Sequence, residues 1–106
     1  MLKGNATMSS KILDEHSAAH VAELFRAFSD TSRVQIMSAL LDGEKNVSVL
    51  ADLVGISQSA VSHHLRGLRQ MKLVVAQREG KEVYYSLVDP HIITLFQQGI
   101  RHIQED

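Results

Sequence analysis

The stretch NVSVLADLVGISQSAVSHHLRGLRQMKLV, residues 46–74, decides the fold. Its first part predicts a short helix, a turn at Gly55-Ile56 follows, and Ser57 is a good N-cap for a second helix. The side chains expected to lie inside are Val49, Leu50, Leu53 and Val54 of the first helix and Val61, Leu65 and Leu68 of the second. A short helix, a tight glycine turn and a second, capped helix predict a helix-turn-helix.

The second helix of a helix-turn-helix lies in the DNA major groove. Short polar side chains at its N-terminal end can reach base edges or phosphates, and basic side chains nearby can meet the phosphate backbone. The predicted DNA-contacting residues are Ser57, Gln58, Ser59, Ser62, His63, Arg66, Arg69, Arg78 and Lys81. For His64, which follows His63 on the helix, packing inside the protein is favoured over metal binding.

The residues after Leu73 have the composition of two strands. LVVAQR and EVYYSL are rich in β-branched and aromatic side chains, and Glu79, Gly80 and Lys81 join them. Glycine in such a connection supplies a positive φ, so this segment predicts a β-hairpin. A helix-turn-helix followed directly by a hairpin is a winged helix, with Arg78 and Lys81 at the tip of the wing.

Two helices precede this unit. From Asp14 the spacing of Val21, Leu24, Phe25 and Phe28 predicts an amphipathic helix that ends near Ser29. The next helix has Asp30 as its N-cap and a stop at Gly43, and its buried stripe is Ile36, Met37, Leu40 and Leu41. The first ten residues, MLKGNATMSS, show no periodicity, and residues 1–13 are expected to form a flexible N-terminal arm.

A last helix is predicted to begin at Asp89-Pro90, an N-cap followed by proline at the first helical position. Its apolar stripe is Ile92, Phe96, Ile100 and Ile103. The expected fold is therefore a mostly α-helical α+β winged helix-turn-helix of one domain, residues 14–106, with the order α1-α2-α3-α4-β1-β2-α5.

Charge is distributed unevenly along the 106 residues. The net charge is −1, but residues 57–81 carry +4 and the remainder carries −5. A positive stretch on a negative body is expected when one face of a protein meets phosphate. The chain has no cysteine, which excludes disulfides, thiol catalysis and thiolate metal sites. No apolar run of membrane-spanning length and no signal-peptide pattern is present, so a cytoplasmic location without membrane contact is expected.

The last helix also carries four metal-ligand side chains. Asp89 and His91 stand at its start, and His102 and Glu105 at its end. The two histidines are eleven positions apart, which returns them to nearly the same face of a helix but separates them by about 16 Å, too far for one ion. If two copies of the helix pack antiparallel in a homodimer, each start meets the partner's end, which gives two identical sites. Two imidazoles and two carboxylates suit Zn²⁺ or Co²⁺.

Other interpretations of these residues stay open. Asp89 is explained equally well as a helix cap, and His16 and His20, spaced i, i+4, favour a surface or dimer-packing role over metal binding. A nickel or cobalt sensor would add ligands from the arm or from His16 and His20, because nickel prefers more than four ligands. A winged-helix dimer that senses no metal is a further alternative. A zinc hydrolase is disfavoured, because four protein ligands leave no open position for water.

The sequence resembles the ArsR/SmtB family of metal-sensing winged-helix repressors, and in particular its zinc sensors that use the last helix. The resemblance rests on FSDTSRVQIMSALL, LVGISQSAVSHHLRGLRQMKLV, REGKEVYYSLVDPH and the closing DPH and RHIQE. It implies a homodimer, not an enzyme, that binds an imperfect inverted-repeat operator when metal-free and is released by zinc at Asp89, His91, His102 and Glu105. The family's cysteine site is expected to be absent, since VSVLADLVG contains no cysteine.

Overall fold

The computed structural model describes residues 12–105. Its elements follow the predicted order: α1 Glu15–Ala27, α2 Thr31–Leu40, α3 Val47–Val54, α4 Gln58–Gln70, β1 Val75–Glu79, β2 Glu82–Ser86 and α5 Pro90–Gln104. The predicted arm lies outside the described residues, apart from its last two, Ile12 and Leu13, which are exposed and precede the first helix. The winged helix-turn-helix is thus confirmed, with α4 as the recognition helix.

Side-chain caps fix where each of the five helices begins. In each case the side chain of the N-cap residue accepts a hydrogen bond from a backbone N–H of the first turn, which that turn would otherwise leave unpaired. The caps are Asp14, Asp30, Asn46, Ser57 and Asp89. Those at Asp30, Ser57 and Asp89 were predicted from the sequence, and the cap at Asn46 was not.

One apolar core joins the helices beneath the wing. Its buried side chains are Ala27, Ile36, Met37, Leu40, Leu50, Ala51, Val61, Leu65, Leu68, Leu73, Val74, Leu87, Ile92 and Phe96. The prediction for α4 is confirmed, since Val61, Leu65 and Leu68 are at most 1% exposed.

The prediction that Val49 and Leu53 lie inside was wrong, because their exposed fractions are 42% and 60%. The eight residues of α3 are VSVLADLV, so apolar side chains occur on more than one side of this helix. Only Leu50 and Ala51 of α3 are buried. Periodicity cannot select the buried face of a helix that is apolar on most sides.

The wing is a two-stranded antiparallel hairpin that is tied to the helix-turn-helix. Glu79 pairs with Glu82, and Gly80 adopts a φ of +67° in the connection, as the sequence predicted. Lys45 and Tyr85 exchange two backbone hydrogen bonds of 3.1 and 2.9 Å. Since Lys45 immediately precedes the cap of α3, these bonds fix the wing relative to the helix-turn-helix.

The apolar stripe of α5 is divided between two environments. Ile92 and Phe96, in its first half, belong to the core of this chain, and the Phe96 ring lies 5.9 Å from that of Phe28 on α1. Further along, Ile100 is half-buried and Ile103 is 73% exposed. Only the second half of the stripe is therefore left uncovered. Within residues 12–105 no helix is long and apolar enough to cross a membrane.

Candidate nucleic-acid interface and metal centre

The recognition helix α4 presents a polar face on the side away from the core. At 100° per residue, Ser59, His63, Arg66 and Gln70 project opposite the buried stripe, and all four are exposed. The first three were predicted to contact DNA, and Gln70 was missed because only basic side chains were predicted as contacts beyond the N-terminal end of the helix. This face carries hydrogen-bonding groups of the kind that read base edges in a major groove.

The start of α4 combines capping with exposed polar groups. The hydroxyl oxygen of Ser57 accepts a hydrogen bond of 3.0 Å from the backbone N–H of Ala60. The hydroxyl hydrogen is not used by that bond, so Ser57 can still donate to an outside acceptor. Gln58 is exposed beside it. The helix N-terminus also carries a partial positive charge, which favours a nearby phosphate.

A depression lies between α4 and the wing. It is lined by Ser62, Arg66, Arg69, Gln70 and Tyr85. Two guanidinium groups beside hydroxyl and amide groups provide donors suited to a phosphate backbone. Tyr85 was not among the predicted contacts. Tyr85 lies opposite Ala76 in the hairpin, and nothing in the sequence EVYYSL distinguishes it from Tyr84 as the tyrosine that faces α4.

The tip of the wing has both signs of charge. The predicted contacts Arg78 and Lys81 are exposed, as are Glu79 and Glu82, which pair across the hairpin. Glu82 accepts a hydrogen bond of 3.2 Å from the side-chain amide of Asn46. Because opposite charges adjoin at the tip, its attraction to phosphate is weaker than that of Arg66 and Arg69 of α4.

Two of the four predicted metal ligands contact each other at the start of α5. Asp89 Oδ1 accepts a hydrogen bond of 2.8 Å from the backbone N–H of His91 and lies 3.3 Å from His91 Nδ1. The His91 side chain is 95% exposed. Asp89 Oδ2 makes no hydrogen bond or ion pair with any described residue. Capping and metal binding are therefore compatible, because they can use different oxygens of one carboxylate.

The other two predicted ligands lie at the far end of the same helix. His102 is exposed within α5, and Glu105 is exposed at its C-cap. Along a helix, His91 and His102 are about 16 Å apart. Among residues 12–105 no three His, Asp or Glu side chains converge on a common point. One chain therefore forms two half-sites and does not bring them together.

An apolar groove runs between α1 and α5. It is lined by Phe25, Phe28, Val34, Leu95, Phe96, Gly99, Ile100 and Ile103. Phe25 is half exposed, like much of this surface. A Cβ atom added to Gly99 would meet nothing within 4 Å in the described chain. Packing within one chain thus gives no reason for a glycine here, although glycine destabilises a helix by about 1 kcal/mol relative to alanine.

The histidine pair of α1 is separate from these half-sites. The rings of His16 and His20 have centroids 4.4 Å apart, and both side chains are exposed. His20 lines a surface depression together with Met71 and Lys72, which follow the C-terminal end of α4. The structure brings no third ligand to this pair within the described residues.

Two capping carboxylates have lowered pKa values. The backbone N–H of Arg33 holds the pKa of Asp30 below its ordinary value of 3.8, and the nearby His64 adds a smaller effect. The backbone and side chain of Ser17 lower the pKa of Asp14 in the same way. A hydrogen bond donated to a carboxylate favours its ionised form.

Comparison with known proteins decides the family. The family described as bacterial regulatory protein, arsR family, matches residues 30–75. A transcriptional repressor SmtB homolog of Synechocystis sp. is 43% identical over 95 residues, which make up 90% of this chain and 72% of that protein. The chain belongs to the arsR family. It is accordingly a transcriptional regulator and not an enzyme, as the sequence predicted.

Solved structures of other DNA-binding regulators have the same fold. The antimony-specific transcriptional repressor AntR has a TM-score of 0.81 at 27% identity, covering 99% of this chain and 96% of that one. A homodimeric winged helix-turn-helix DNA-binding domain from Mycobacterium bovis has a TM-score of 0.78 at 28% identity, covering 91% of each chain. The arsR match itself extends from the cap of α2 to the first residue of β1. It includes the helix-turn-helix and leaves the half-sites of α5 outside.

Proposed function

We propose that this arsR-family chain is a cytoplasmic, homodimeric repressor that binds operator DNA when metal-free and is released by Zn²⁺. The ion would bind at two identical sites, each made by Asp89 and His91 of one copy and His102 and Glu105 of the other. The observation that carries this proposal is the pair of exposed half-sites at opposite ends of one helix. The DNA contacts would be the nine residues predicted from the sequence, together with Gln70 and Tyr85.

The apolar groove between α1 and α5 supports a dimer. A groove lined by aromatic and aliphatic side chains is unfavourable in water, and burial against a second copy would remove that cost. Gly99 lies in the groove with open space above it. A glycine there permits close approach of a second backbone. A two-fold axis near Gly99 would place each end of α5 beside the opposite end of its partner.

The donor set suits zinc. Two imidazoles and two carboxylates can fill a tetrahedral site, with Asp89 Oδ2 unengaged and the other three side chains exposed. AntR is antimony-specific, but this chain has no cysteine and cannot offer a thiolate to a soft ion. The effector proposed here is therefore a divalent ion that accepts nitrogen and oxygen ligands.

Contacts within the chain connect α5 to the DNA-binding surface. Phe96 of α5 packs near Phe28 of α1, and both Ile92 and Phe96 share the core with Leu68 of α4. A constraint on how the two copies of α5 cross would consequently act on the spacing of the two recognition helices. Operator binding requires those helices to match successive major grooves. An ion that binds one dimer arrangement more tightly shifts the population away from the operator-binding arrangement.

A second candidate differs in the ion. The His16–His20 pair on α1, with ring centroids 4.4 Å apart, could add ligands for Ni²⁺ or Co²⁺, which accept more than four. A DNA-binding dimer with no metal response would instead leave His91, His102 and Glu105 without a role, and Asp89 with its cap of α5 alone. Titration with each ion separates these alternatives.

The test is a fluorescence-anisotropy titration at fixed salt. The probe is a labelled duplex selected with metal-free protein from a library of random inverted repeats. Metal-free protein is expected to bind this duplex tightly, and one Zn²⁺ per chain is expected to weaken binding at least about tenfold, a coupling within the usual range. A chelator should restore the original affinity. Tight binding that no metal ion alters would contradict the metal response while leaving the DNA-binding function intact.

A further inference from the structure

The ring of His64 on the recognition helix is enclosed by the first turn of α2. Arg33 Nε donates a hydrogen bond of 3.2 Å to His64 Nδ1, in a partly buried environment. On the other side of the ring, His64 Nε2 lies 3.9 Å from Asp30 Oδ1, and the His64 side chain is only 16% exposed. Asp30 also caps α2 by accepting the Arg33 backbone N–H. Both ring nitrogens of His64 therefore face one rigid helix start.

Gly67 makes room for this contact. A Cβ atom added at Gly67 would lie 2.9 Å from Arg33 Nη2 and 3.4 Å from Arg33 Cζ. The guanidinium group thus rests against the backbone of α4, one turn beyond His64. Glycine in the middle of a helix is unfavourable. At this position, however, the missing side chain leaves room for the guanidinium group of Arg33.

The hydrogen bond between Arg33 and His64 constrains the orientation of α4 in a way that the apolar core does not. Val61, Leu65 and Leu68 hold α4 by apolar packing, which is not directional, whereas a hydrogen bond constrains both distance and angle. With a side-chain radius of about 6 Å, a rotation of α4 by about 20° moves its outer side chains by about 2 Å. A shift of that size exceeds what a hydrogen bond to a base edge tolerates.

We propose that Arg33 is a positioning residue for DNA recognition: through His64 and Gly67 it sets the rotation of α4 about its own axis. Arg33 acts through His64 and makes no phosphate contact of its own. This inference rests on the proposed operator binding, and it concerns a residue outside the predicted DNA-contacting set.

Operator affinity of single and double variants tests the proposal. Arg33→Ala and His64→Ala should each weaken binding to the selected duplex about tenfold, the usual scale for one directional hydrogen bond. The double variant should also lose about tenfold and not about a hundredfold, because both changes remove one contact. His64→Gln, which keeps a side-chain acceptor, should stay within about threefold of the unmodified chain.

Arg26→Ala is the matched control. Arg26 lines the same surface depression as Arg33 and Gly67, but its side chain makes no hydrogen bond or ion pair with the described residues. This variant should bind like the unmodified chain. Arg33→Ala should leave the salt dependence of binding unchanged, whereas loss of a phosphate contact would lower its slope by about one. Unchanged affinity of Arg33→Ala, or losses that multiply in the double variant, would overturn the proposal.

A measurement on the free protein keeps this inference separate from operator binding. In ¹H–¹⁵N spectra at neutral pH, the Arg33 Nε–H should exchange slowly with water in the unmodified chain and in His64→Gln, and rapidly in His64→Ala. If the unmodified chain selects no duplex, the proposed function fails, and this exchange rate still decides whether the contact exists. If the Nε–H of Arg33 exchanges with water as fast as that of Arg26, the hydrogen bond between Arg33 and His64 is refuted.

Discussion

The helix-turn-helix and α5 differ in how much of their function one chain completes. The recognition helix has its stripe fully buried, its cap formed and its flank bonded to α2, so its outer face is ready to meet DNA. In α5, by contrast, Ile103 is exposed and the two half-sites lie at opposite ends. The DNA-reading unit is a property of the chain, whereas the proposed metal site is a property of the dimer.

The largest expected effect comes from breaking the α1–α5 surface. Ile103→Glu places a charge in the exposed part of the groove and is expected to weaken dimerisation at least about a hundredfold, because burial of an unpaired charge is costly. The affinities for operator DNA and for zinc should fall as the dimer dissociates. Sedimentation velocity against protein concentration measures the dimer dissociation constant.

The control for this prediction is Leu53→Glu, which adds the same charge at a side chain of similar exposure on α3. That variant should remain dimeric. Equal loss of the dimer in both variants, or in neither, would contradict an interface at α1 and α5.

The next largest effect separates operator binding by the helix-turn-helix from zinc binding by α5. His102→Ala should leave metal-free operator binding within about twofold and reduce the zinc-induced weakening from at least about tenfold to less than about twofold, because three ligands hold the ion less well. Gln98→Ala, on the same face one turn earlier, should respond to zinc normally. Anisotropy with and without zinc measures both. A full zinc response in His102→Ala would remove His102 from the site.

Asp89 allows capping to be distinguished from metal binding. Asp89→Ala removes the cap of α5 and should lower the free energy of unfolding by about 1 kcal/mol, whereas Asp89→Asn keeps an acceptor and should lower it little. Both should weaken zinc binding, because both remove the carboxylate charge. Urea unfolding and a competition titration for zinc measure the two properties. Normal zinc affinity in Asp89→Asn would leave Asp89 with a capping role alone.

The smallest effect is an acid dependence of stability that comes from the caps of α1 and α2. Asp30 and Asp14 have folded-state pKa values below the unfolded value, so the stability they contribute is present above that value and is lost as the pH falls through the folded pKa. Stability should therefore decline below about pH 4. Asp30→Asn, which keeps the acceptor but cannot titrate in this way, should show a shallower decline in urea unfolding. An identical decline in both proteins would contradict the assignment of part of this acid dependence to Asp30.

The sequence predicted the helix-turn-helix well because local signals and burial agree there. Ser57 and Gly80 were placed correctly, since each has a specific backbone requirement. The prediction failed at Val49 and Leu53, where the apolar residues of α3 allow several buried faces. The bond between Arg33 and His64 joins residues 31 positions apart and has no local signal. The four α5 side chains were proposed as metal ligands from their spacing, and both that role and their assembly stay predictions.

Mixing two defective chains tests whether each zinc site is shared between two copies of the chain. One chain carries Asp89→Ala with His91→Ala, and the other carries His102→Ala with Glu105→Ala, so neither alone can form a complete site. After unfolding and refolding together, each mixed dimer should have one site with all four ligands. Random pairing makes about half of the dimers mixed, so we expect about one tight zinc site per four chains. No recovery of tight binding in the mixture, with mixed dimers present, would contradict a site shared between two chains.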